Sequence, residues 1–258
     1  MTKIGARKLE ELIKKHLDEF YARRIAKLSG LNLTEALSKK NPYLFRASGV
    51  QKASEIVAEL LRAYISSSDE TIFGDAFFEP IAKAVSGGQV GGGEGVDIIK
   101  ETETTVTVYA VKSGSQWGNA DQWTRQRQNF QSLQNRLRKL HKTFDPVLGY
   151  GYGRRNTDPK GSTNHRQRSG QAFWEELTGD TDFYLKLVRL MKHYPQEHRR
   201  QYQAEWDKAV NRFEREFLLN FSTPDGDINW DKLVEFNSGK APRKLKKFSS
   251  KKSEAATQ

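Results

Sequence analysis

The chain has 258 residues, with 43 Lys and Arg against 32 Asp and Glu for a net charge of +11, 36% hydrophobic and 11% aromatic side chains, and a mean hydropathy of −0.77. That is apolar material for the core of one or two domains beneath a very polar surface. The absence of cysteine excludes a disulfide framework and a Cys-based zinc site, the five histidines (His16, His141, His165, His193, His198) lack HExxH spacing, and no apolar run approaches the roughly 18 residues of a membrane span. The N-terminus lacks a signal-peptide core, so the expected address is the cytoplasm.

Charge is segregated along the chain. Residues 125–168 carry eleven Lys and Arg against two acids, Asp145 and Asp158, and residues 240–252 carry seven basic residues and no acid. Residues 51–105 run the other way, with ten acids against four basic residues. Basic surface for phosphates, with an acidic segment for a cation, is the pattern of a polyanion-binding enzyme with a metal site. A soluble basic protein with a solvated tail is the plainer reading of the same pattern.

In chain order, Leu9, Leu12, Ile13, Leu17 and Phe20 recur at three- and four-residue steps and predict helix over about 3–36, with the pattern broken by Asn41-Pro42. A second helix is expected over about 51–66, through Ile56, Val57, Leu60, Leu61 and Tyr64. A cap at Ser66-Ser67-Ser68-Asp69 then opens a third helix through Ile72, Phe73, Phe77 and Ile81. Glu70 and Glu79 lie near its two ends, where solvated helix acids are common. The Gly87–Gly95 run has no GK[ST] and reads as a flexible approach to the next strand, not as a nucleotide loop.

From Thr105 to Lys112 the character alternates. Val106, Val108, Ala110 and Lys112 fall on one face, and Thr105, Thr107, Tyr109 and Val111 on the other, which predicts a strand. If Ile98–Ile99 begins the partner strand and KETET is the turn, antiparallel pairing brings Asp97 beside Val108–Ala110, give or take two residues. An acid on one strand then stands near a lysine on the next, as a metal-assisted phosphodiesterase requires. Such a pair also occurs in hairpins that do no chemistry.

Asn119 followed by Gln122 is a capping-box pattern. The helix it opens is expected to reach about His141, with Phe130, Leu133, Leu137 and Leu140 as its buried seam. The opposite face carries Arg125, Gln126, Arg127, Gln128, Asn135, Arg136, Arg138 and Lys139, suited to phosphate contacts and amide readout or simply to water. Residues 146–150 read as a strand leaving a basic loop. Residues 158–171, with Asn164, His165, Arg166 and Arg168, read as a polar segment that reaches a groove or stays mobile. Short helices over 173–177 and 184–191, a break at Pro195 and a long amphipathic helix over about 196–221 follow. The stripe Tyr202, Trp206, Val210, Phe213 and Phe217 reads as core or dimer packing, and Trp230, Leu233, Val234 and Phe236 as a cap on the domain. The expected division is an N-terminal helical segment (1–48), a core with the hairpin and basic helix (49–190), a C-terminal helical region (191–240) and a disordered basic tail (241–258).

The order helix, acidic turn, hairpin, Arg-rich helix, strand resembles the α-β-β-β-α-β core of the PD-(D/E)XK nucleases. The segment VDIIKETETTVTVYAVKSGSQWGNADQ resembles the catalytic region of type II restriction endonucleases. Further blocks are similar, in the same order, to one restriction-enzyme family: NPYLFRA at 41–47, ETIFG at 70–74, EGVD at 94–97, VKSGSQWGN at 111–119, GYGR at 151–154 and NWDKLVEFNSG at 229–239. The resemblance spans Asn41 to Gly239, and the KSG…WGN block is its most specific part.

The resemblance implies a mixed α/β fold, a central mixed sheet flanked by helices with helical additions at both ends. It implies a type II restriction enzyme, a sequence-specific endonuclease for double-stranded DNA. Such an enzyme works as a homodimer on a short palindrome, beside a cognate DNA methyltransferase in a restriction–modification system. Asp97 and Lys112 take the catalytic positions. Ala110 stands where the consensus has an acid, two residues before the lysine, and the replacement is sought in the preceding helix: Glu70 first, with Glu79 and Glu94 behind it. Mg²⁺, with Mn²⁺ able to substitute, is then held by Asp97, Glu70 and the carbonyl of Val111. DNA contacts are expected from Ser113, Gln116 and Asn119 beside the lysine, and from Arg125, Arg127, Arg154, Arg155, Asn164 and Arg166. Two alternatives stay open: a structure-specific nuclease, and a non-cutting nucleic-acid-binding protein whose site is degenerate at Ala110.

Overall fold

The computed structural model describes residues 4–160 and 164–246. Its helices are α1 (Ala6–Gly30), α2 (Leu33–Ser38), α3 (Pro42–Ala47), α4 (Ala53–Phe73), α5 (Glu79–Ser86), α6 (Ala120–Leu137), α7 (Gln171–Thr178), α8 (Phe183–Met191), α9 (Tyr194–Phe221) and α10 (Trp230–Ser238). Five strands, β1 (Gln89–Gly93), β2 (Val96–Glu101), β3 (Thr105–Lys112), β4 (Thr143–Tyr150) and β5 (Arg166–Ser169), form one sheet in sequential order. β1, β2 and β3 pair antiparallel, whereas β3, β4 and β5 are parallel. A parallel step needs a crossover, and α6 supplies the one between β3 and β4. The sheet is therefore mixed and flanked by helices, as expected. Among the described residues no helix is long and apolar enough to cross a membrane.

Contacts divide the chain into two compact units, Met1–Arg23 with Asp69–Arg199, and Arg24–Ser68 with Arg200–Gln258. The first holds the sheet, covered on both faces. Ile98, Tyr109, Val111 and Val147 pack with Ile13 of α1, Ile81 and Val85 of α5, and Phe173 and Trp174 of α7. Val106, Val108, Ala110 and Leu148 pack with Phe130 and Leu133 of α6. The two alternating sets of β3 thus enter two different apolar clusters. Each fully buried aliphatic or aromatic side chain contributes roughly 1.5–3 kcal/mol, so the strand that ends on Lys112 is clamped from both sides. The second unit is helical, with Leu33, Leu37, Ile56, Leu60, Phe213 and Phe217 in its core. The aromatic stripe of α9 is core packing there.

Several local expectations need correction. Asn41-Pro42 opens a helix: the Asn41 side chain accepts the amides of Tyr43 and Leu44, and Pro42, lacking an N–H, suits the first turn. The serines at 66–68 do not interrupt α4, because the Ser67 and Ser68 hydroxyls donate back to the Tyr64 carbonyl within the helix. The glycine run is not a flexible approach but includes β1, paired to β2; at Gly91 a Cβ would stand 2.3 Å from the Val96 carbonyl oxygen. Residues 166–169 are not loop but β5, and Leu140 is 43% exposed instead of closing the α6 seam. The capping box at Asn119 and Gln122 is present with both reciprocal bonds. The basic tail passes outside the described residues after 246.

Candidate active site

Pairing of β2 with β3 runs from Glu101↔Val106 to Ile98↔Tyr109, which carries Asp97 on to Ala110, inside the expected window. There the strand leaves the regular pleat: Val96 and Ile98, two residues apart, pack into the clusters on opposite faces of the sheet. The Asp97 carboxylate turns onto the end of β3, where Oδ2 accepts the Val111 amide at 2.7 Å and Oδ1 lies 3.6 Å from Lys83 Nζ. Only 16% of this side chain is exposed. Burial pushes the carboxyl above the usual aspartate range, opposed by the Val111 hydrogen bond and by Lys112 and Lys83, and reinforced by the charge of Glu79.

The acids facing the hairpin come from one continuous helical stretch. α4 passes into α5 through a single π turn, Gly74–Phe78. A π turn holds an extra residue, so Glu70, Asp75, Glu79 and Lys83, spaced by five, four and four, line one face. Gly74 brings this turn close to β3, since a Cβ there would sit 3.1 Å from the Cβ of Ser113. Lys83 Nζ donates to Glu79 Oε1 at 2.5 Å while facing Asp97, so one ammonium bridges two carboxylates. Burial opposes the charge on Lys83, yet Glu79 and Asp97 raise its pKa above that of an ordinary lysine. Asp75 has an exposed surface, but partial desolvation and the neighbouring Glu79 push its carboxyl up, with Lys112 pulling the other way.

Lys112 ends β3 with its ammonium 5.0 Å from the ring centre of Trp117. Glu70 accepts the Ser113 hydroxyl at 2.7 Å and the Tyr152 hydroxyl at 3.0 Å. These groups line a cleft of about 510 Å³, with walls formed by Glu70, Thr71, Gly74 and Asp75 on one side and by 111–114, 116–118, Gln122 and Tyr152 on the other. Hollows of about 550 and 870 Å³ lie elsewhere in the same unit but carry neither Asp97 nor Lys112. Asp97 is set behind the cleft wall at Val111. Ala110 is fully buried in the cluster containing Val108, Phe130, Leu148 and Tyr150. An acid at that position would be driven into apolar surroundings.

The remaining predicted residues separate into two groups. Ser113 and Gln116 line the cleft; Asn119 uses its side-chain oxygen in the capping box. Arg125 is exposed, 3.9 Å from Glu94; Arg127 donates to Thr124 on its own helix; Arg154 and Arg155 are exposed beyond β4; Asn164 contacts His165. Arg166 is different. Its guanidinium makes four hydrogen bonds to Asp145 and Glu176, and is only 21% exposed. Tyr109 donates to the same Glu176, and burial together with that carboxylate keeps the phenol protonated. Arg166 is thereby a tie between β4, β5 and α7 and not a free groove contact. Asp75, Lys83 and Tyr152 are not site candidates from the sequence, and Gln122 enters there only as part of the helix cap. The five-four-four spacing was the available signal for the first two.

Residues 7–199 match the family of the type II restriction endonuclease EcoO109I, well over half the chain and all of the sheet and cleft. The chain belongs to that family. No individually curated protein matches it. As a type II restriction endonuclease, it is a site-specific deoxyribonuclease that hydrolyses phosphodiester bonds in DNA, and enzymes of this class generally use divalent metal ions. Among the described residues of this restriction endonuclease, no group of three or more His, Cys, Asp or Glu side chains forms a metal cage. A hard cation such as Mg²⁺ needs less, one or two carboxylates with substrate phosphate and water completing the shell. Asp97 and Glu79, held to one ammonium beside Lys112, fit that requirement.

Proposed function

We propose that this restriction endonuclease is Mg²⁺-dependent, with Mn²⁺ able to substitute, and acts in the cytoplasm as a homodimer cutting both strands of a short palindrome. Its functional partner would be a DNA methyltransferase of the same specificity in a restriction–modification system. The observation that carries the site assignment is the convergence, at the end of β3, of Asp97, Lys112 and the acid-bearing face of α4 and α5. Held by Asp97, a second carboxylate and the Val111 carbonyl, Mg²⁺ would supply positive charge that polarises the scissile phosphate and acidifies the attacking water. We assign the second carboxylate to Glu79, because it shares an ammonium with Asp97. Glu70, ranked first on sequence, is engaged by Ser113 and Tyr152 and shapes the cleft.

Lys112, steadied by the Trp117 ring, positions the attacking water and meets the negative charge that develops on the phosphoryl oxygens. The Val111 amide favours the charged form of Asp97, opposing the cost of its burial, and aims the carboxylate along the strand end. Ser113, Gln116 and Asn119 face the backbone or bases next to the cut. Arg125, Arg127, Arg154, Arg155 and Asn164 supply the groove and phosphate contacts, which position the duplex before bases are read.

The test is incubation of the purified protein with unmethylated phage DNA, in Mg²⁺ and then in EDTA. Discrete fragments that disappear with EDTA are expected, with their sequenced ends giving the site; a smear would oppose sequence-specific cutting. Asp97→Ala and Lys112→Ala are expected to abolish cleavage and leave cognate binding largely intact, and retained cutting by Asp97→Ala would remove the site. Glu79→Gln should cost far more activity than Glu70→Gln; the reverse order returns the second carboxylate to Glu70.

A further inference from the structure

Lys83 itself has no role in the mechanism above, although its ammonium bridges Asp97 and Glu79. Lys83 rises one turn after Glu79 on α5, pairs with it at 2.5 Å, and also reaches Asp97 at 3.6 Å. The side chains are 27%, 29% and 16% exposed for Lys83, Glu79 and Asp97, so this is a partly desolvated triad and not a loose surface contact. A single ammonium between two carboxylates occupies the electrostatic place that a divalent cation bridging the same carboxylates would take. Lysine is suited to that role and to leaving it. Its charge is compact, its stem is flexible, and it has three donors with no fixed fork.

We propose that Lys83 is a resident counter-ion of the restriction endonuclease's metal site: its ammonium bridges Asp97 and Glu79 in the free enzyme and must swing away before a divalent cation can bind there. This rests on the assignment of Asp97 and Glu79 as metal ligands. Exchanging a monovalent ammonium for a divalent cation raises the local charge by one unit. A phosphodiester brought into the cleft carries the compensating negative charge. Metal loading is therefore linked to DNA binding, and the partial exposure of Lys83 gives its tip a path to solvent or to the incoming phosphate.

The test is calorimetric titration of the full-length protein, without DNA, with MnCl₂. Lys83→Met keeps the stem and removes the charge; Lys83→Gln retains a polar tip should methionine collapse onto the core. Either is expected to bind Mn²⁺ about tenfold or more tightly than the parent protein, while Lys83→Arg binds as weakly as the parent. Adding Asp97→Asn to Lys83→Met should remove the gained binding. If the neutral variants bind Mn²⁺ no better than the parent while Asp97→Asn abolishes metal binding to the enzyme–DNA complex, the counter-ion role is overturned and the metal site stands. If Asp97→Asn leaves Mn²⁺ binding unchanged with and without DNA, the metal-site assignment fails and this inference fails with it.

Discussion

Replacing Arg166 by methionine separates a structural tie from a DNA contact. The guanidinium holds Asp145 through Nε at 2.7 Å and Nη2 at 2.5 Å, and Glu176 through Nη1 at 2.7 Å and Nη2 at 2.9 Å. Both carboxylates are about three-quarters buried, at 24% and 26% exposed. Without Arg166 they face each other, with Arg168 remaining at 3.4 Å from Glu176. Removing one partner from a fully buried ion pair costs about 3–5 kcal/mol, and from an exposed one about 0–1 kcal/mol. Partial solvent access and the residual Arg168 place this change at about 2–3 kcal/mol. Urea denaturation of Arg166→Met, followed by far-UV circular dichroism, should show that loss, and Glu176→Gln added to it should recover part. Phosphate contacts act differently, since each contributes about 0.9 to the slope of log binding constant against log salt. That slope should stay unchanged in Arg166→Met. Unchanged stability with a slope reduced by about one would refute the tie and return Arg166 to the groove.

Other residues give sharper local tests. Arg154→Ala, on the exposed segment beyond β4, should flatten the salt slope by about 0.9 in fluorescence-anisotropy binding, with little change in urea midpoint. Ala110→Glu restores the consensus acid but forces a charge into the cluster around Phe130 and Leu148; thermal melts should show a loss of about 3 kcal/mol or more, with no gain in cleavage. Gln126 is 4% exposed and donates to the Gly95 carbonyl at 2.8 Å, so Gln126→Ala should cost about 1–3 kcal/mol in chemical denaturation by leaving that carbonyl unpaired beside the hairpin. Asn119→Ala removes half of the capping box and should cost about 1 kcal/mol, read by the same titration.

The hairpin was legible because period-two alternation in 105–112 survives burial on both faces, and pairing arithmetic then places Asp97 within one or two residues. The capping box was legible because both of its bonds are local to Asn119 and Gln122. β5 was not. Residues 166–169 read as Arg-Gln-Arg-Ser, and what makes them a strand is parallel pairing to β4 together with carboxylates from Asp145 and Glu176. Neither partner is near in sequence, so a charged strand looks like loop. Gln126 fell among the polar-face residues for a similar reason, as its inward turn depends on a carbonyl 31 residues away. In the candidate site, the placing of Asp97 against the strand that ends on Lys112 could be read from type and spacing. Ranking Glu79 against Glu70 required knowing which hydroxyls and which ammonium each one meets.

The π turn at Gly74–Phe78 makes the active-site face a matter of counting. Removing one residue from it would restore ordinary helix, and α5 would rotate by about 100° about the helix axis while α4 and the sheet keep their packing. Glu79 and Lys83 would swing off the hairpin together, while Glu70 stayed at the cleft. A single-codon deletion more than 25 residues before β3 in sequence would thus be expected to disarm the nuclease without changing Asp97 or Lys112.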